Sequence, residues 1–392
     1  MAAWEWLVAG LSMFGGLAYS FLSLSAVRGL VTLKKLGEVE AGPPERFPLL
    51  SVLVPACNEG STLRQALETL LSQDYPNLEL VVVDDRSTDD TPRIVDELAE
   101  RDPRVVALHV RELPAGWLGK VHALFVGARK ARGELLLFTD ADVHYHAPDV
   151  LRRAVALCEQ ERLDHVCLLP ELRAGSFLQE SAVDAFGISF FATLRVHELA
   201  DPESDRFIGV GAFNLVRRST LEKSEGLEWL RMEVGDDLGL GYLIRRAKGR
   251  AGLWLASREL SVLWYPSLRE MARGLEKNLF AIVGRYSAPL TFVRFGSAVV
   301  IVTGMLLGFA SPHWPVQLAS FAALASVFAA ALAMRRRIDQ RLGPGLLVPV
   351  GLLLVAGMGF RSAWRCLRSG GITWRGTHYP LGELKSFQRV KV

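Results

Sequence analysis

The sequence predicts an α/β domain built on a mainly parallel sheet, held between N- and C-terminal transmembrane helices. Uncharged apolar runs lie near both ends: Trp6 to Val27 (22 residues), Phe295 to Met334 (40 residues, interrupted by Ser-Pro-His-Trp-Pro at 311–315) and Leu342 to Phe360 (19 residues). The stretch between residues 45 and 265 has ordinary charged, globular composition. Within it, short apolar runs alternate with amphipathic segments, the pattern of parallel strands covered by helices.

Roughly 20 apolar residues suffice to cross a bilayer. The runs therefore read as an N-terminal anchor (1–28), a helical hairpin plus a third apolar segment (290–364) and a basic tail (365–392) around an α/β domain at 45–265. Met-Ala-Ala-Trp-Glu-Trp has no basic residue, and Arg28, Lys34 and Lys35 follow the first run, which favours an anchor over a cleaved leader. The positive-inside rule then predicts an integral protein, of a bacterial inner membrane, with its α/β domain in the cytoplasm. Simple counting would export the basic tail. Leu342 to Phe360 contains Pro344 and Pro349 and several glycines, so a re-entrant or surface-lying segment is the favoured way out of that conflict.

Lys and Arg number 45 against 42 Asp and Glu, a net charge of +3, which gives no field for nucleic acid. Cys57, Cys158, Cys167 and Cys366 show no metal-binding spacing and read as free thiols of a reducing compartment.

In the α/β domain, Leu49 to Ala56 reads as a buried strand ending in Cys-Asn-Glu-Gly-Ser, followed by a helix carrying Leu63, Leu67, Leu70 and Leu71. Leu78 to Asp85 is a second strand, ending in two carboxylates before a capped amphipathic helix. Residues 104–110 form a third strand, 118–132 a helix, and Glu134 to Asp142 a fourth strand ending in acid. Ligands of such sheets bind beyond the carboxyl ends of the strands. That edge is where Asn58 and Glu59, Asp84 and Asp85, and Asp140 and Asp142 emerge.

Asp140 and Asp142 lie two apart on extended backbone, so both point to one side, and two hard oxygen ligands suit Mg²⁺ or Mn²⁺ shared with phosphate. An acidic turn capping the next helix would look the same. Asp84 and Asp85 could accept hydrogen bonds from a nucleoside, or cap the helix that follows. Lys120, in Gly-Trp-Leu-Gly-Lys, could neutralise a phosphate. Asp236 and Asp237 open a helix whose dipole favours the ionised carboxylate, the state a general base needs. His144 and His146 are left outside the ligand set. Residues 266–288 predict a basic interfacial amphipathic helix, with Leu268, Met271, Leu275, Leu279, Ile282 and Tyr286 near one face and Arg269, Arg273 and Lys277 on others. The aromatic stretch 177–199 is a candidate lipid-facing groove.

Taken in order, Val-Pro-Ala-Cys-Asn-Glu, Val-Val-Val-Asp-Asp, the Gly-Trp-x-Gly-Lys loop, Thr-Asp-Ala-Asp-Val and the later Gly-Asp-Asp resemble glycosyltransferase family 2 over residues 48–250. With the membrane segments and Trp-Arg-Gly-Thr-His-Tyr at 374–379, the chain looks like the branch that glycosylates lipids, such as ceramide glucosyltransferases and carotenoid- or hopanoid-associated enzymes. The resemblance implies a GT-A nucleotide-sugar domain with a mixed, mainly parallel sheet and a UDP-sugar donor. It implies nucleoside contacts from Pro55, Asn58, Glu59 and Asp85, with Lys120 near the donor. Asp140 and Asp142 would hold a metal-bound diphosphate, and Asp237, beside Asp236, would act as base. It further implies inverting transfer of a hexose, glucose foremost, to a membrane lipid hydroxyl. Relatives carry a Gln/Arg-x-x-Arg-Trp stretch near the membrane; here Ile-Val-Gly-Arg-Tyr leaves Arg285 to keep part of that role. Transfer to a polyprenyl phosphate and a non-catalytic membrane scaffold are the alternatives.

Overall fold

The computed structural model describes residues 3–39, 46–199, 201 and 203–391. Residues 1, 2 and 45, at the edges of the expected anchor and α/β domain, fall outside these. In chain order the elements are α1 (Ala3–Thr32), β1 (Leu50–Ala56), α2 (Leu63–Leu71), β2 (Leu78–Asp85), α3 (Thr91–Arg101), β3 (Val105–Val110), α4 (Gly119–Lys130), β4 (Leu135–Phe138), β5 (Val143–Tyr145) and α5 (Val150–Gln160). There follow β6 (His165–Ala174), α6 (Phe177–Leu194), β7 (Asn214–Arg217), α7 (Arg218–Lys223), α8 (Asp236–Arg246), β8 (Ala251–Tyr265) and α9 (Leu268–Gly274). The chain closes with α10 (Ala288–Leu307), α11 (Trp314–Arg337), α12 (Val348–Ser369), β9 (Gly371–Trp374), β10 (Thr377–Pro380) and α13 (Leu381–Phe387).

The main sheet has eight strands in the order β3-β2-β1-β4-β7-β6-β8-β5. Strands β3, β2, β1 and β4 are parallel, while β7 pairs antiparallel with both β4 and β6. The sheet is therefore mixed and mainly parallel on its first half, as expected. Strand alternation divides its core. Val52, Val54, Leu80, Val82, Leu135 and Leu137 pack toward α2, α3 and α5. Leu53, Val81, Val83, Leu136 and Phe138 pack toward α4 and α8. The C-terminal tail joins this second layer: Tyr379 and Leu384 are buried in it, and Glu233 accepts from the amides of Arg389 and Val390 at 2.7 and 2.9 Å.

Among the described residues, four helices are long and apolar enough to cross a membrane: Ala9–Thr32, Ala288–Ala310, Trp314–Arg337 and Gly343–Ser369. Helices α1, α10 and α11 pack together, with Gly16 against Ala319 and Ala323, and Gly304 against Leu11. Small residues at those points let the backbones approach closely. Their outer faces are bare: Phe14 is 72% exposed, Leu17 73% and Phe292 70%. Large exposed apolar patches mark contact with another apolar phase.

The α/β domain meets one end of this bundle. The amide of Leu255 in β8 donates to Lys34 just after α1, and Arg335 near the end of α11 bonds Asp184 in α6 at 2.6 Å. Helix α12 behaves differently. Its start is held by Ser181 of α6, which donates to Leu347 O at 2.6 Å. Its end runs into the β9–β10 hairpin, where Arg375 ion-pairs with Glu59 beyond β1. Both ends of α12 thus lie against the α/β domain.

The continuous helix expected at 266–288 is absent. Helix α9 ends at Gly274, and a wider helical turn follows at Leu279–Val283. Met271, Leu275 and Leu279, read as a membrane-facing stripe, are buried inside the protein. Helical spacing identifies an apolar face but not what covers it, and here α12 and the α/β domain do.

Candidate active site

Strands β1 and β4 are neighbours whose connections run to opposite sides, so a crevice opens beyond their carboxyl ends. Asn58 and Glu59 leave β1, Asp84 and Asp85 end β2, and Asp140 and Asp142 follow β4. The structure brings these residues, with Lys120, Asp236 and Asp237, to one edge.

Lys120 is the hub. Its Nζ lies 2.8 Å from Asp140 Oδ1 and 3.1 Å from Asp236 Oδ2, joining two acid pairs far apart in sequence. Burial alone would depress this ammonium's pKa, but Asp140, Asp236 and Asp237 outweigh it and hold the pKa well above the usual lysine value. Lys120 sits at the start of α4, and the preceding loop is fixed by Leu118 N donating to Arg231 O at 2.7 Å.

Asp140 packs on a glycine loop the sequence reading missed. Its amide donates to Gly211 O at 3.1 Å, and a Cβ on Gly211 would stand 2.6 Å from Asp140 Oδ2. Gly209 packs on the Asp237 backbone just as closely. The Gly-Val-Gly run at 209–211 is thus the spacer between the two acid pairs. Its glycine repeat was the available signal.

Asp142 carries the charge conflict of the site. Burial, then the charges of Asp140 and Glu59, push its pKa up to about 7. A divalent cation would relieve that conflict, and Mg²⁺ or Mn²⁺ sharing phosphate oxygens needs only one or two protein carboxylates. Among the described residues no cluster of three or more His, Cys, Asp or Glu forms a metal cage. Asp140 and Asp142 offer two hard carboxylate groups, the donor type that such an ion takes. His146 instead hydrogen-bonds Ser261 at 2.7 Å.

Asp236 and Asp237 differ. Asp236 faces Lys120, whereas Asp237 makes no ion pair among the described residues and accepts from Leu238 N at 2.8 Å. Burial, then the Asp236 charge, raise the Asp237 pKa to about 6.

On the β1–β2 side, Asn58 adopts φ 56° and its Oδ1 accepts from Thr88 N at 2.8 Å, tying the two loops together. Pro55 lies in β1 opposite Val83. Asp85 pairs with Arg86 at 2.8 Å. Asp84 is almost fully buried, with one oxygen accepting from Ser87 N (3.1 Å) and the other against His109 Nδ1 (3.0 Å). Those bonds make Asp84 an anchor of the loop that follows β2. Arg285 lies near Arg294 at the start of α10, and Lys277 of the same segment feels the charges of Asp236, Asp140 and Asp237.

A mixed, half-parallel sheet with acids on the switch-point edge is the architecture of a GT-A-type domain. The mannosyltransferase PcManGT of Pyrobaculum calidifontis, solved with GDP-Man and Mn²⁺, has the same fold, with a TM-score of 0.57 at 23% identity over 90% of this chain and 99% of that one. Residues 51–224 match the profile of Glycosyl transferase family 2, so the chain carries a domain of that family. Similar relatives glycosylate lipids by name. The beta-monoglucosyldiacylglycerol synthase of Nostoc sp. is 26% identical over 57% of this chain and 45% of its own length. Ceramide glucosyltransferase 1 of Caenorhabditis elegans is 23% identical over 62% and 50%. The chain spans about half the length of these relatives.

Proposed function

We propose that the protein is an inverting glycosyltransferase that moves a hexose, glucose foremost, from a UDP-sugar to the hydroxyl of a membrane lipid. The observation that carries the reading is the pairing of Asp140/Asp142 with Asp236/Asp237 through Lys120 on one sheet edge. The lipid-glucosylating relatives support the acceptor class and the sugar.

In this reading Glu59, Asn58 and Asp85 border the nucleoside, and Asp140 and Asp142 hold Mg²⁺ or Mn²⁺ with the diphosphate. When bound, the ion offsets negative charge gathering on the leaving diphosphate. Lys120 bonds Asp140 and Asp236 and so holds the two acid pairs side by side. Asp237 accepts the proton of the acceptor hydroxyl, the acceptor oxygen bonds the anomeric carbon, and the sugar–phosphate bond breaks with its electron pair leaving on the diphosphate. Attack opposite the leaving group inverts the anomeric centre. A base near pKa 6 suits this task, since it is ionised at neutral pH yet more basic than an ordinary aspartate.

The bare faces of α1, α10 and α11 support a membrane anchor. The contacts at both ends of α12 favour an in-plane position for it, under the domain, with the tail on the same side as the active edge. Trp364 and Leu367 on its exposed side, beside Arg365 and Arg368, suit a lipid–water boundary. Positive-inside charge favours the cytoplasm as that side. The test is conversion of a labelled UDP-sugar to glycolipid by membranes carrying the protein. Loss of product in Asp237→Asn, with the protein folded, supports the reading; full activity in that variant removes the base from it.

A further inference from the structure

The C-terminal hairpin approaches the same edge from outside the family 2 core. Arg375 and Gly376 occupy its turn with φ of 48° and 78°, a tight reversal that requires left-handed backbone at both positions. The residue before the turn, Trp374, has its ring 3.4 Å from Lys277 Nζ. Arg375 itself pairs with Glu59. Two consecutive residues therefore span the cleft, from Lys277 on one wall to Glu59 on the other. Lower in the tail, Tyr379 Oη accepts from Gly119 N at 3.3 Å and Thr377 Oγ1 accepts from Arg86 at 3.2 Å, fastening the hairpin to the loop that carries Lys120 and to the end of β2.

Lys277 is the unbalanced group. Among the described residues it has no carboxylate partner within ion-pair distance, and its ammonium lies over the Trp374 ring. Its surroundings are crowded with charge, Lys120 on one hand and Asp236, Asp140 and Asp237 at longer range on the other. Burial, then Lys120, lower its pKa to about 8, so it gains from an anion placed beside it. Arg375 is weakly committed, because its pair with Glu59 is 42% exposed on the arginine side, and guanidinium binds phosphate in bidentate fashion as readily as carboxylate. Lys120, by contrast, is already shared between Asp140 and Asp236.

We infer that Lys277 and Arg375 form a second, cationic subsite that receives the diphosphate of the nucleotide donor, with the β9–β10 hairpin as its cover. The inference rests on the glycosyl-transfer reading above. Arg375 exchanges Glu59 for a phosphate oxygen on donor binding, and Lys277 takes its missing anion from the same group.

Calorimetry on the full-length protein in detergent with Mn²⁺, titrating UDP and uridine separately, tests it. Lys277→Met and Arg375→Gln are expected to weaken UDP about tenfold or more while leaving uridine unchanged, with Lys277→Arg and Arg375→Lys recovering most of the loss. Arg375 stands at an exposed tip, so Arg375→Gln carries the test if Lys277→Met does not fold. Unchanged UDP affinity, or an equal loss of UDP and uridine, overturns the diphosphate subsite. Wild-type protein that binds neither UDP nor GDP overturns the glycosyl-transfer reading together with it.

Discussion

Arg375 and Glu59, 316 residues apart in sequence, form an ion pair that closes the C-terminal tail onto the carboxyl edge of β1. Chain counting from the apolar runs would send that tail across the membrane. The pair instead predicts that cysteines introduced at Glu383 and at Glu100, both exposed, are labelled from the same side of the membrane. Labelling from opposite sides would contradict it.

Asp237→Asn removes the proposed base while conserving shape. The expected cost is about 10²–10⁴-fold in kcat, the range for loss of general base catalysis, with little change in UDP affinity. Steady-state rates and calorimetry on the same preparation check both halves.

The raised Asp237 pKa sets a pH profile. The residue acts when deprotonated, so the rate should be flat above its pKa and fall about tenfold per unit as pH drops below about 6. Asp237→Asn should lose that acid limb. Retention of the limb would assign it to another group.

Asp142 is kept from easy ionisation by burial and by Asp140 and Glu59. Chelation of divalent ions, or Asp142→Asn, is therefore expected to lower turnover on the order of 10²-fold or more, with Mn²⁺ restoring the chelated wild type but not the variant. Rates measured before and after metal replacement decide this.

The shape of the first half of the sheet was legible because its signals are local. Apolar runs at β1, β2 and β4 and the acids that end them sit next to each other in sequence. The Lys120 hub was half legible: Asp140 and Asp236 each stood out, but nothing in their spacing announced a shared cation. Lys277 was read as the polar side of an interfacial helix, since periodicity cannot tell a membrane from α12 as the covering surface. Asp84 looked equivalent to Asp85 until His109, on the neighbouring strand, claimed its second oxygen. Contacts made across hundreds of residues, such as Arg375 with Glu59, leave no local trace.

Arg335 is 1% exposed and bonds Asp184 at 2.6 Å, locking α11 to α6. Arg335→Met strands Asp184 as an unpaired buried charge and should cost about 3–5 kcal/mol of stability, whereas joint replacement of both by apolar residues should recover most of it. Thermal unfolding in detergent, compared across the two single variants and the double, reads the difference.

The central claim is sugar transfer from a nucleotide donor to a membrane lipid through the acids gathered by Lys120. Membranes bearing wild-type or Asp237→Asn protein, incubated with a panel of labelled UDP-sugars and analysed by lipid mass spectrometry, test it most directly. The account predicts a new hexosyl-lipid from the wild type that is absent from the variant. Equal product from both, or no glycolipid from any UDP-sugar, would contradict it.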